Sequence, residues 1–119
     1  MMRVIVAGST QWDDADAIHR ELVELSSDSV VIHGDAPGAD QIGGEIARQI
    51  GLSVEPIAKN SKDYRRYRRG AWKSLNERMI QSGVELVLAF HPAIDKSKGT
   101  RHLVALANEM EIKVKIIES

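Results

Sequence analysis

Cysteine is absent from the sequence, which excludes disulfide bonds and thiolate metal sites. Net charge is nearly absent as well. Because 16 Lys and Arg residues oppose 17 Asp and Glu residues, the chain as a whole has no bias toward nucleic acid. No apolar run approaches the roughly 18 residues that a membrane-spanning helix needs, and the N-terminus lacks the architecture of a signal peptide. We therefore expect a cytoplasmic protein that has no membrane partner.

Short β-branched runs alternate with amphipathic segments along the chain. The strand-like runs are 3–7, 30–32, 53–57, 85–90 and 112–117. Apolar side chains, including Met79 and Met110, recur at helical spacing in 14–26, 42–50, 70–82 and 103–110 and are expected to face a core. Strands that alternate with helices, without a hairpin signal, predict a single α/β domain over 1–119 with a parallel sheet covered on both faces.

The composition of the strands predicts their order in the sheet. The first and fourth are the most continuously apolar and belong in the middle. The third contains Pro56, which cannot donate a ladder hydrogen bond and prefers an edge. The fifth carries Lys113 and Lys115, which protect an exposed edge. Right-handed crossovers then favour the order 3-2-1-4-5, a Rossmann-like three-layer sandwich.

Glycine-containing loops follow three strands, at the edge where ligands bind in this architecture. They are AGSTQWDD at 7–14, HGDAPGAD at 33–40 and HPAIDKSKGTRH at 91–102. Glycine lets amides approach an anion closely, and helix N-termini expose unpaired N–H groups. We expect Gly34 and Gly38 to present amides and Asp40 to cap the second helix. An ordinary strand-to-helix loop also needs glycine and a capping residue, so one such loop alone does not indicate a site.

Four motifs, in this order, resemble the SLOG superfamily, which is named after the Smf/DprA and LOG proteins. They are VIVAGST at 4–10, VIHGDAPGAD at 31–40, NERM at 76–79 and KGT at 98–100. The resemblance is strongest to the small stand-alone YspA-like members, many of them bacterial or phage-encoded. It spans essentially the whole chain and implies a Rossmann-like fold that binds nucleotides, nucleotide-derived signals or nucleic acid.

The resemblance also implies a set of ligand-binding residues. The matching positions are Gly8, Ser9 and Thr10 in the first loop, Gly34, Gly38, Ala39 and Asp40 in the second, Asn76 and Met79 in the third helix, and Gly99 and Thr100 in the fourth-strand loop. Thr10 stands where relatives usually have arginine, and Asp35 where glycine is common. We expect the loop amides and the Thr100 hydroxyl to hold phosphate, and Asn76 to contact a sugar or base.

Two departures concern the LOG branch, which hydrolyses the N-glycosidic bond of cytokinin riboside monophosphates. Its arginine and glutamate correspond to Leu75 and His102 here. A role in binding, sensing, sequestering or processing is therefore favoured, and nucleotide N-glycosidase activity is the enzyme alternative. Arg78, Arg101 and Asp35 are the neighbours that would replace the missing groups, and Arg101 is also a ligand-binding candidate. No cofactor is predicted.

Aromatic and basic side chains raise further hypotheses. Trp12 either stacks on a base or covers the start of the first helix. Segment 59–73 holds seven Lys and Arg residues and one acid, interleaved with aromatics. This composition is typical of a single-stranded nucleic-acid groove, of a solvated connection, or of a segment whose arginines at 65, 66, 68 and 69 fold over a ligand. By analogy with the fold, we also expect a homo-oligomer.

The remaining polar residues have simpler interpretations. Asp13 and Asp14 are placed to cap the first helix. His33 is either a proton carrier or a hydrogen-bonded residue at the end of a strand. His91 and His102 flank the loop after the fourth strand without an evident third ligand, so no metal site is predicted.

Overall fold

The computed structural model describes residues 2–119, which form a parallel β-sheet between two layers of helices. The strands are β1 Arg3–Gly8, β2 Val30–His33, β3 Ser53–Pro56, β4 Leu86–Phe90 and β5 Lys113–Ile117. The helices are α1 Ala15–Leu22, α2 Ala39–Gln49, α3 Ser61–Tyr67, α4 Ala71–Gln81 and α5 Gly99–Glu109, with short 3-10 turns at Arg68–Gly70 and Ile94–Lys96. In the described part of the chain, no helix is both long and apolar enough to cross a bilayer.

The strand order is β3-β2-β1-β4-β5, and every neighbouring pair is parallel. The predicted order and Rossmann-like architecture are therefore confirmed. β1 and β4 lie in the centre and are almost wholly buried, whereas β3 and β5 form the exposed edges. Pro56 ends one edge strand, and on the other Lys115 Nζ forms an ion pair with Glu21, 2.6 Å away.

Alternate residues of β1 point into two separate cores because side chains alternate across a strand. Val4 and Val6 face α1 and α2, whereas Ile5 and Ala7 face α4 and α5. Both faces of the sheet are thus covered, and ligand access is left to its edges and ends. Met110 departs from the prediction: it follows the end of α5 and is 62% exposed, so it is not part of the core.

Helix α3 lies within segment 59–73, where the sequence predicted a helix only from residue 70. Asn60 and Asp63 form a capping box, in which each side chain accepts a hydrogen bond from the other's main chain. Asp63 is buried and also accepts hydrogen bonds from Ser74 and from the Arg78 guanidinium. That guanidinium holds the pKa of the Asp63 carboxyl well below its usual value. The segment is therefore a helix that Asp63 anchors to α4, while most of its other side chains are exposed to solvent.

Candidate functional site

A crevice of about 290 Å³ lies beyond the carboxyl ends of β1 and β4, where the strand order reverses. It is lined by Ala7, Gly8, Ser9, Thr10, Asp35, Ala36, Asp40, Lys59, Trp72, Leu75, Asn76, Met79, His91, Ser97, Gly99, Thr100 and Leu103. The three glycine-containing loops therefore converge on one place, together with Lys59 and one face of α4. This is the position in which open parallel sheets bind their ligands.

Two glycines allow the first loop to pack tightly between its neighbours. A Cβ at Gly8 would collide with the Phe90 main chain, and the Ser9 N–H donates to the Phe90 carbonyl over 2.9 Å. Gly38 has a φ of +77°, and a Cβ there would collide with the main chain of Ser9 and Thr10. The Ala39 N–H completes this contact by donating to the Ser9 carbonyl over 3.1 Å. The first and second loops thus form one bonded unit at the crevice wall.

Asp40 lines the crevice from inside α2 and does not cap that helix, contrary to the prediction. The N-cap is Gly38, and α2 begins at Ala39, so Asp40 lies in its first turn. Burial raises the pKa of the Asp40 carboxyl to about 7, although hydrogen bonds from the main chain of Ala36 and Gly34 oppose this change. The second loop was expected to offer its amides to a ligand. In the structure, the N–H groups of Gly34 and Ala36 donate to Asp40 instead.

Asp35 and Lys59 form an ion pair at the crevice wall, with Nζ 2.6 Å from Oδ1. The main-chain N–H of Lys59 donates to the other carboxylate oxygen over 3.0 Å. The pKa of Asp35 is lowered by these bonds, which outweigh the opposing effect of its partial burial. Both side chains are about 30% exposed, so water and solutes reach the pair.

Helices α4 and α5 meet at the opposite wall. The Asn76 side-chain amide donates to the Gly99 carbonyl over 3.0 Å and lies 3.1 Å from His102 Nδ1, so it holds the start of α5 in place. Burial lowers the pKa of His102, which favours the neutral ring. Within the described residues neither the Asn76 Oδ1 nor the Thr100 hydroxyl has a hydrogen-bond partner, and both residues line the crevice.

Some main-chain donors in these loops are used by the protein, and others are not. The Thr100 N–H donates to Ser97 Oγ over 3.0 Å. The N–H groups of Thr10, Gly99 and Arg101 have no acceptor within residues 2–119. Among the residues that line the crevice, Thr10 in the first loop and Gly99 at the start of α5 thus offer N–H donors to an anion, and the positive end of the α5 dipole adds to the second of them.

Comparison with known proteins agrees with this architecture. The sequence model of the YspA, cpYpsA-related SLOG family (YAcAr) matches residues 2–64. Gene 61 protein of Mycobacterium phage D29 is 35% identical over 121 residues, which cover 96% of this chain and 94% of that protein. The chain belongs to the YspA, cpYpsA-related SLOG family.

A solved structure shares the fold of this SLOG domain. DNA processing protein A (DprA) from Streptococcus pneumoniae superposes with a TM-score of 0.75 at 14% identity. The match covers 97% of this chain but 49% of DprA, so the chain spans about half the length of that protein.

Two positions that distinguish this SLOG protein from the LOG branch lie at or beside the crevice. Leu75 lies in the crevice wall, and His102 is held by Asn76 and by an edge-on contact with Trp72. Arg78 does not line the crevice. Its guanidinium is bound to Asp63 and to the Ala58 carbonyl, so the expectation that it replaces the missing arginine is wrong.

Other candidates also lie away from the crevice. Trp12 is 8% exposed, packs against Phe90 and donates its indole N–H to the Asp14 carbonyl, so its ring belongs to the core. Asp14 caps α1 through the Ala17 N–H, as predicted. The Arg101 side chain donates to the Asp95 carbonyl outside the crevice. The arginines at 65, 66, 68 and 69 do not line the crevice, contrary to one hypothesis.

His33 ends β2 away from the crevice. Its Nδ1 lies 2.8 Å from the Gly34 carbonyl, and its ring packs against Gly44 of α2, where a Cβ would collide with it. This agrees with a hydrogen-bonded residue at a strand end.

Lys59 and Trp72 are crevice residues that the sequence analysis placed only in the basic segment. Lys59 follows β3, whose carboxyl end shares an edge with those of β1 and β2. Trp72 lies in the first turn of α4, so it faces the same edge. Ligands bind beyond the carboxyl ends of parallel strands, and this rule covers the loop after the third strand as well as those after the first, second and fourth. Applied to the third strand, it predicts Lys59 as a crevice residue.

Proposed function

We propose that the protein binds a nucleotide or nucleotide-derived ligand in the crevice and acts as a sensor, a sequestering protein or a processing factor. The main support is the convergence of the first loop and the start of α5 on the crevice, where the N–H groups of Thr10 and Gly99 remain unpaired. One helix terminus contributes only about 0.3–1 kcal/mol to anion binding. Several donors on one anion are therefore needed, and the crevice supplies them.

The volume and lining of the crevice favour one nucleotide unit. Its 290 Å³ is close to the lower end of the roughly 300–1,000 Å³ range of small-molecule sites. Apolar side chains of Leu75, Met79 and Leu103 offer a surface for a base or sugar, and the Thr100 hydroxyl lies near the amides. Among the described residues, Lys59 is the one Lys or Arg in the lining, and Asp35 already neutralises it. The negative charge of a triphosphate would thus be poorly neutralised inside the crevice.

The comparisons support the same ligand class. The matching family model is described as a SLOG family, and the solved structure with the same fold is titled a DNA processing protein. Because one relative is a mycobacteriophage protein, we propose that the protein acts in the cytoplasm of a bacterial cell, with a phage origin. We also propose that it is a homo-oligomer, which light scattering would test.

Mass spectrometry of the small molecule that co-purifies with the protein is the first experiment. Calorimetry against that compound should give saturable binding with one molecule per crevice. Thr100→Val removes a crevice hydroxyl at nearly constant volume and should weaken binding about fivefold to tenfold, the loss of one hydrogen bond. The exposed Thr10→Val tests the hydroxyl of the first loop, and an exposed residue outside the crevice, Ser27→Ala, is the control. Equal affinity of Thr100→Val and wild type would contradict the proposed phosphate contacts.

Hydrolysis of a nucleotide N-glycosidic bond is the second candidate function. The observation that favours it is Asp40, a buried crevice carboxyl whose pKa of about 7 suits a general acid that protonates the departing base. Water would then add to the sugar carbon, and the proton that it releases would restore the acid. Chromatography of nucleoside monophosphates incubated with the protein tests this: base release that Asp40→Asn abolishes supports it, and no release rejects it.

A further inference from the structure

A second groove, which we call the basic groove, adjoins the crevice on the outer faces of α4 and α5. It is lined by Trp72, Lys73, Lys98, Arg101, His102 and Ala105. Trp72 lines both cavities, so the two share a wall. None of the residues that line the groove, in the part of the chain that the structure describes, is acidic.

The charge of the basic groove differs from that of the crevice. Lys73, Lys98 and Arg101 are exposed, and none of them forms an ion pair with a carboxylate among residues 2–119. In the crevice, by contrast, Lys59 is paired with Asp35. Free positive charge at this edge of the sheet is therefore concentrated outside the crevice, where phosphates beyond the first would find it.

The groove also offers an aromatic surface. Lys73 Nζ lies 5.6 Å from the centroid of the Trp72 ring, and His102 meets that ring edge-on at 5.3 Å. Trp72 is half-buried, so part of the ring is accessible. An aromatic ring beside cations that have no carboxylate partner is the combination that binds single-stranded nucleotides, since the base stacks and the cations contact the phosphates.

The first turn of α5 connects the two cavities. Gly99 and Thr100 line the crevice, whereas Lys98 and Arg101 line the groove. The Arg101 N–H is unpaired among residues 2–119, and Arg101 lines the groove and not the crevice. A phosphodiester chain that leaves the crevice at this turn would thus enter the groove directly.

We propose that the basic groove binds the second nucleotide of a ligand whose first nucleotide lies in the crevice. The ligand is then a phosphodiester of two or more nucleotides, either a free dinucleotide or the end of a single strand. This inference rests on the proposed function of the crevice.

Calorimetry with 5′-phosphorylated mono-, di- and tetranucleotides tests the two-cavity ligand. Each length is used as an equimolar mixture over the four bases, in the ribo and in the deoxy series. The groove variant is Lys73→Ala with Lys98→Ala and Arg101→Ala. The control variant is Lys62→Ala with Arg65→Ala and Arg69→Ala, which removes the same charge from exposed positions outside both cavities. Arg101→Ala alone keeps the test valid if thermal unfolding shows that the triple groove variant is not folded.

We expect the wild type to bind dinucleotides at least about tenfold more tightly than mononucleotides, and the groove variant alone to lose this difference. A tetranucleotide that gains over the dinucleotide identifies a strand end, whereas no gain identifies a free dinucleotide. Mono- and dinucleotides of equal affinity would overturn the groove and leave the crevice function standing. Dinucleotide binding that Thr100→Val leaves unchanged, with no mononucleotide binding, would overturn the crevice function and with it a two-cavity ligand.

Discussion

Replacing Asp40 by asparagine should remove a pH-dependent cost that the folded protein carries. Burial raises the pKa of this carboxyl from 3.8 to about 7. Each tenfold change in proton affinity corresponds to about 1.4 kcal/mol. Full ionisation of Asp40 therefore costs the folded state about 4 kcal/mol relative to the unfolded chain. Asparagine has nearly the same shape and cannot ionise, so the variant does not carry this cost.

The sign of the effect follows from the direction of the shift. Because the folded-state pKa lies above the unfolded-state value, the folded protein binds the Asp40 proton more tightly than the unfolded chain does. This stabilisation is complete in acid below the unfolded-state pKa, is lost as pH rises toward about 7, and does not change further above it. Between pH 5 and pH 8 the free energy of unfolding of the wild type should fall by about 2–3 kcal/mol relative to Asp40→Asn.

Urea denaturation at half-unit pH intervals measures this difference. Asp16→Asn is the matched control, since Asp16 also lies in the first turn of a helix but is exposed. If the difference in free energy of unfolding between wild type and Asp40→Asn were the same at pH 5 and pH 8, the assignment of Asp40 as a buried carboxyl with a raised pKa would be refuted.

Two further substitutions test the packing of α3 on α4 and the contact between the first two loops. Arg78→Ala should lower the free energy of unfolding by about 2–4 kcal/mol, because it leaves the buried Asp63 carboxylate without its cation. This range already allows for solvent screening on the exposed side of Arg78. The exposed Arg65→Ala should change it by less than about 0.5 kcal/mol, and equal effects of the two in urea denaturation would contradict the ion pair. Gly38→Ala should destabilise the protein by about 1–3 kcal/mol and weaken nucleotide binding, since its φ of +77° and its contact with Ser9 exclude a Cβ. Gly51→Ala, also at positive φ but with open space around it, is the control, and binding weakened equally by both would argue against a shared wall of the first two loops.

The sheet was predictable because its strands carry their own positional signals. Pro56 and the lysines of β5 mark edges, and continuous apolar runs mark the centre. Helix α3 was not found because its face toward α4 is polar. Its buried contact is the ion pair of Asp63 with Arg78, which has no apolar periodicity. The Asn60–Asp63 capping-box spacing was the available signal.

The candidate site was predictable in its location but less so in its donors. The rule for parallel sheets brought the three loops together, as observed. Asp40 was assigned as a cap because a shift of two residues in the start of α2 is not visible in the sequence, yet it turns a capping carboxylate into a buried one. The pairing of Lys59 with Asp35 joins residues far apart in the chain, so only the folded structure reveals it.

A ¹H–¹⁵N NMR titration with the four nucleoside 5′-monophosphates, and with inorganic phosphate for comparison, tests anion binding by the crevice most directly. Saturable shift changes should be largest at the N–H groups of Thr10 and Gly99, the unpaired crevice donors of the first loop and of α5. Changes confined to the arginine-rich positions 65–69, or none that saturate, would contradict it.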